Sequence, residues 1–174
     1  RFPKNCRTIS TPTSGRGPRS WLYALTTTNP PPAAGNDIDG LTRWIVVTRA
    51  AVLPMTLFAG LVGGLLAVRA PGFDTVDLLL AIAGIVLAHL NNNLTNDLFD
   101  TSVGTDGASY PRALYAPHPL LSGLVTSRQL YAAIAATTIG DLVIAAVLLD
   151  RRGWGVVAFA TAGIILSVAY TAPP

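Results

Sequence analysis

The chain has 174 residues, 51% of them hydrophobic and only 12% charged, with a mean hydropathy of +0.48. That is about half the charge of a soluble domain and points to a membrane. The acids are nine Asp and no Glu, and six of the twelve bases behind the net charge of +3 lie in the first 43 residues. The basic balance therefore belongs to the tail, and no basic stripe interleaved with aromatics marks a nucleic-acid surface. Cys6 is the one cysteine, which excludes an internal disulfide, a cysteine-rich zinc site and an iron–sulfur cluster.

Residues 1–42 are rich in Thr, Ser, Pro and Gly, with Pro30-Pro31-Pro32 and no acid before Asp37. Such a composition cannot bury enough apolar surface to order itself and reads as a disordered tail. Being Arg- and Ser/Thr-rich and acid-poor, it also fits an organelle transit peptide. With no initiator Met, an arbitrary chain start is a third option. The fold is expected in residues 43–174.

Four apolar stretches follow. Residues 50–68 are nineteen without a charge, enough to cross roughly 30 Å of hydrocarbon. Pro54 falls in their first turns, where a helix tolerates it. Residues 78–90 are only thirteen, about 20 Å of helix. To cross, this helix must continue into the polar residues 91–100; the alternative is a re-entrant segment. Residues 130–149 are twenty, interrupted by Asp141, and residues 154–170 are seventeen with an aromatic at each end. The expectation is an all-α polytopic membrane helix bundle with four transmembrane helices. Four crossings put both chain ends and the loop 101–127 on one side. Arg43, Arg49, Arg112 and Arg128 flank that side, and Arg69, Arg151 and Arg152 the other. Four against three narrowly favours placing this loop in the cytoplasm or its equivalent, and the expected location is that of an integral, multi-pass protein of the cell membrane.

Asn93, Asn96, Asp97 and Asp100 are spaced 3, 4 and 7 apart. At about 100° per residue they share a stripe of roughly 100° on one helical face. Two carboxylates and two carboxamides, with no thiol or imidazole among them, suit a hard cation such as Mg2+ shared with a phosphate. Polar clusters at membrane depth are costly, which makes this one a functional-site hypothesis.

The pattern Asn93-x-x-Asn96-Asp97-x-x-Asp100-x-x-x-Gly104-x-Asp106, with Arg112 and Pro119-Leu120-Leu121-Ser122-Gly123 after it, resembles the UbiA superfamily of intramembrane prenyltransferases. The likeness is nearest to the 1,4-dihydroxy-2-naphthoate polyprenyltransferases of menaquinone biosynthesis. Residues 44–49 and Tyr170-Thr-Ala-Pro-Pro are similar too, so the resemblance covers residues 43–174. It implies a bundle of eight or nine spans of which this chain carries the N-terminal half. It implies Mg2+-dependent transfer of a polyprenyl group from its diphosphate to an aromatic acceptor. The second Asp-rich motif of the family is missing, so the chain alone is expected to be inactive, as a fragment or as one half of a pair.

On that reading Asp97, Asp100 and Asn93 hold the metal. Asn96, Asp106 and Arg112 join Asn93 in contacting substrate, Arg112 through a guanidinium suited to diphosphate oxygens. Each has a plainer alternative. Asp97 and Asp100 can be a solvated helix end, although carboxylates there oppose the helix dipole. Asn93 and Asn96 can bond neighbouring helices, Asp106 can form a turn, and Arg112 can be a surface charge. Ser122-Gly123 reads as a turn into the third span. His89, one turn before Asn93, either bonds a neighbouring helix or orients an acceptor phenol. Asp141 is neutral or helix-bonded, or a partner to His89 or the cavity.

Other aromatic acceptors are alternatives: 4-hydroxybenzoate, homogentisate, a chlorophyllide or a protohaem. Outside this enzyme class stand a transporter half-unit, which would use the polar helix end as a cation site, and an inactive remnant. The oligomeric state is left open by the sequence.

Overall fold

In the computed structural model, residues 38–103 and 118–171 are described, and all regular structure among them is helical. Helix α1, Gly40–Val47, starts at Asp39, whose carboxylate accepts from the Thr42 N–H at 2.9 Å and from the Thr42 hydroxyl at 2.5 Å. It cannot run on into the next helix. Pro54 has no N–H to give, and its ring would crowd the carbonyl four residues back. The backbone breaks instead at Thr48-Arg49, where Arg49 takes the left-handed conformation, φ 54 and ψ 41. One turn of 3-10 helix, Ala50–Val52, then leads into α2, Leu53–Ala67, with Pro54 in its first turn.

Helix α3, Thr75–Val103, is capped by Asp74, whose carboxylate accepts the Val76 N–H at 2.7 Å and the Asp77 N–H at 3.2 Å. It runs unbroken through residues 91–100, so the second apolar stretch does continue into the polar motif. At 29 residues it is about 43 Å long. Helix α4, Ser127–Arg152, opens on a capping box between Thr126 and Gln129. Gly153, at φ +78, turns the chain into α5, Gly155–Thr171.

Among the described residues, three helices are long and apolar enough to cross a membrane: Ala50–Ala67, Thr75–Ser102 and Ser127–Arg152. The apolar part of α5, Gly155–Ala169, is shorter. The order of lengths thus differs from the sequence expectation, in which the second stretch is the short one. Counting apolar side chains stops at Asn91, but helical hydrogen bonds belong to the backbone and continue where the side chains turn polar. The all-α membrane bundle stands.

Helix α3 is the centre, packed against α2, α4 and α5. Close approach to α2 depends on Gly60 and Gly64: a Cβ there would stand 2.9 Å from Ile82 Cγ1 and 2.7 Å from Leu78 Cδ2. Gly140 of α4 lies equally close to Leu87. Side-chain hydrogen bonds add to this packing. Asn91 donates to the Thr138 hydroxyl at 2.6 Å, the Ser167 hydroxyl donates to Asn92 at 2.6 Å, and the His89 Nδ1 meets the Thr56 hydroxyl. Outer faces carry Phe58, Leu65, Leu66, Phe159 and Leu166, all exposed, as hydrocarbon requires and water does not favour.

The two ends of the bundle differ. At one, Asp77 pairs with Arg151 and Arg152, Asp74 pairs with Arg151 at 3.2 Å, and Arg152 donates to the Gly72 carbonyl at 2.7 Å. At the other lies the buried apolar core, Val47, Leu94, Leu124, Val125 and Leu130, drawn from α1, α3, α4 and the segment before α4. That core fixes the polar motif.

Candidate functional site: the polar end of α3

Leu94 is fully buried in the core, which sets the rotation of α3 and turns Asn93 and Asp97, one turn apart, toward the break between α1 and α2. There the Asn93 Nδ2 donates to the Thr48 carbonyl at 3.1 Å, and the Arg49 guanidinium pairs with the Asp97 carboxylate. Asp97 is fully buried, while 28% of the Arg49 side chain is exposed. His89, one turn deeper, faces the same strip through Thr56. Positions 89, 93 and 97 thus hold α2, the broken backbone and Arg49 in turn.

The remaining two members of the stripe do something else. The Asn96 Nδ2 donates to Asp100 Oδ2 at 2.7 Å, within the helix, and both side chains are half-buried. The single stripe divides into a buried pair, Asn93 and Asp97, and an open pair, Asn96 and Asp100. The division follows from the neighbours: Thr48 and Arg49 of the break meet Asn93 and Asp97, and Asn96 and Asp100 are less covered.

Residues 118–125 close the site from the side of α4. His118 is buried, and its Nδ1 accepts the N–H groups of Leu120 and Leu121 at 3.2 and 3.3 Å. A nitrogen that accepts carries no proton, so Nε2 holds the ring's hydrogen. That hydrogen faces the Thr101 hydroxyl at 3.3 Å, and Thr101 in turn donates to the Asp97 carbonyl at 2.7 Å. Ser122 accepts the His118 N–H at 3.0 Å, and Gly123 takes φ +65, where a side chain would be strained. Ser122-Gly123 is a turn, and its hydroxyl serves the backbone.

Of the residues expected to act, Asn93, Asn96, Asp97 and Asp100 come together at this end, while Asp106 and Arg112 lie outside the described residues. No group of three or more His, Cys, Asp or Glu side chains converges among the described residues to hold a metal. The donor chemistry nevertheless fits Mg2+, which binds through one or two carboxylates and keeps waters and phosphate oxygens for the rest. Asp97 already has a cation beside it, the Arg49 guanidinium, so a metal ion would have to compete with that charge for the carboxylate. His89 meets Thr56 and not Asp141, which is half-buried along α4.

Two participants escape sequence reasoning. Arg49 reads as one more charge flanking a span; its signals are its place at the end of residues 44–49, which share in the resemblance, and a base five residues before Pro54 at the head of an apolar run. His118 carries no sequence signal, because its role rests on backbone N–H groups and on a contact across 17 residues. Comparison with protein-family models, with curated proteins and with solved structures finds no match.

Proposed function

We propose that this end of the bundle binds the diphosphate of a polyprenyl diphosphate with Mg2+, and that the chain serves the transfer of the prenyl group to an aromatic acceptor. The observation that carries the reading is Asp97: a fully buried carboxylate, already matched by a cation, at the polar end of a helix whose shaft is apolar. A prenyl diphosphate has the same polarity, a polyanionic head on a hydrocarbon tail. The motif's resemblance to intramembrane prenyltransferases supports the chemistry, and 1,4-dihydroxy-2-naphthoate as acceptor rests on that resemblance alone.

Asp97 and Asp100 would hold Mg2+, with the carboxamide oxygens of Asn93 and Asn96 beside them. When bound, the ion would neutralise diphosphate charge and make it a better leaving group. The chain's own part is positioning. Asn93 fixes the break through Thr48, His118 and Thr101 fix the C-terminal turns of α3, and the apolar shafts of α2 and α3 offer the tail a surface that keeps water out. Asp106 and Arg112 are proposed as further diphosphate contacts.

Calorimetric titration of the full chain in detergent micelles with farnesyl diphosphate tests the reading. Binding is expected only with Mg2+ present, and Asp97→Asn should weaken it tenfold or more, about 1.4 kcal/mol. Mg2+-independent binding, or equal affinity in the variant, overturns it.

A further inference from the structure

We infer that Arg49 is a latch on Asp97. It holds the carboxylate while no diphosphate is present and passes to the diphosphate oxygens when one arrives, so that Asp97 becomes available to a cation only in the company of that ligand. The inference rests on the diphosphate reading above and adds to it the regulation of the site.

Three observations carry it. First, Asp97 is fully buried and Arg49 Nη2 stands against its Oδ1, so a divalent cation brought to the same carboxylate would meet the guanidinium's charge at close range. The two cations therefore compete for it. Second, the guanidinium has somewhere to go. Arg49 is 28% exposed, stands on the short break between α1 and α2 rather than inside a helix, and lies at the end of the bundle where Asn96 and Asp100 are open. Its backbone need not follow, since Asn93 holds the adjacent Thr48 carbonyl at 3.1 Å and the Arg49 N–H is bonded to the Val46 carbonyl at 3.1 Å. Third, the planar fork of donors that matches a carboxylate matches a phosphate equally well, and diphosphate offers more charge than Asp97 does. The exchange leaves each of these two groups beside an opposite charge: guanidinium on carboxylate before, guanidinium on diphosphate and metal on carboxylate after.

The latch makes Mg2+ and diphosphate binding mutually dependent, and that coupling is reciprocal and measurable. In the full wild-type chain, Mg2+ alone should leave the melting midpoint unchanged, while Mg2+ with inorganic diphosphate should raise it. In Arg49→Gln, Mg2+ alone should bind at least tenfold more tightly than in wild type by calorimetry, and diphosphate affinity in excess Mg2+ should fall at least tenfold. Arg49→Lys keeps the charge and loses the fork. It should still exclude Mg2+ while binding diphosphate more weakly, and it covers the case in which Arg49→Gln fails to fold. Equal Mg2+ affinity in wild type and Arg49→Gln overturns the latch while leaving the diphosphate site standing, provided wild type still binds diphosphate with Mg2+. Binding of Mg2+ alone by Arg49→Lys, or diphosphate binding by Arg49→Lys as tight as in wild type, also overturns it. If neither wild type nor either variant binds diphosphate with Mg2+, the diphosphate reading falls, and the latch with it.

Discussion

Two arginine–carboxylate clusters stand on the same helix, at Asp77 and at Asp97, twenty residues apart. Along α3 that is about 30 Å, one thickness of hydrocarbon. Their chemistry is alike and their support is not. Asp77 lies in the first turn of α3, where a carboxylate is favoured by the helix dipole, and Arg151 and Arg152 lie in the last turn of α4, where cations are favoured. Asp74 joins them and also caps α3. Every local term agrees, and the cluster fastens the α3–α4 pair. Asp97 lies more than a turn inside α3, where no terminal turn favours its charge, and Arg49 reaches it from a left-handed residue outside any α-helix. Such a backbone position costs a non-glycine residue about 1 kcal/mol. The Asp77 cluster is favoured by helix geometry at both partners, whereas the Asp97 pair is held by the tertiary structure alone, as the proposed latch requires.

The sharpest way to break this comparison is to ask whether the two clusters lie on opposite faces of a membrane. In a Cys6→Ser background, Ser102→Cys and Ala70→Cys sit at exposed positions near the Asp97 and Asp77 ends respectively. An impermeant maleimide applied to sealed vesicles should label one and spare the other; labelling of both from one side would put the clusters on the same face. A smaller effect is expected from Asp77→Ala, which leaves Arg151 and Arg152 without their shared carboxylate. The melting midpoint should drop by about 5 °C, and neither Mg2+ nor diphosphate should restore it. Restoration by either would mean that this end, too, exchanges ligands.

The smallest effects separate the two halves of the motif. Asn93→Ala strips a hydrogen bond from the Thr48 carbonyl in a buried setting and should cost about 1 kcal/mol of stability. Asn96→Ala removes only a half-buried contact to Asp100, which water can replace, and should cost less than half as much. Chemical or thermal unfolding in micelles measures both. A larger loss from Asn96→Ala would contradict the division into a buried and an open pair.

Much of the frame was legible in the sequence. The first span, read as residues 50–68, is found as Ala50–Ala67, and Pro54 sits in the opening turn of its helix as its missing N–H demands. The continuation of the second helix into residues 91–100 follows from the length a crossing needs, and α3 runs through them. The third stretch, read as residues 130–149, lies inside α4, whose start three residues earlier is fixed by the capping box between Thr126 and Gln129. The angular stripe of Asn93, Asn96, Asp97 and Asp100 is also a property of the sequence, because helical periodicity alone places them. What periodicity cannot say is which edge of a stripe meets a neighbour. The split between Asn93 with Asp97 and Asn96 with Asp100 depends on Thr48 and Arg49 of the break meeting one edge.

By itself, then, the sequence determined an all-α membrane bundle and a polar helix end, for a local reason. Long apolar runs in hydrocarbon must satisfy their own backbone hydrogen bonds, and a helix does so within the run. Only the tertiary structure decided which cation meets Asp97. The sequence places Arg43, Arg49, Arg112 and Arg128 at the same end of the bundle, and nothing in their spacing ranks them. Among the described residues Arg49 makes the pair, across 48 positions of chain, because Pro54 interrupts the helix just beyond it and the core at Leu94 turns Asp97 toward that interruption. Charge selects the candidates, and packing selects among them.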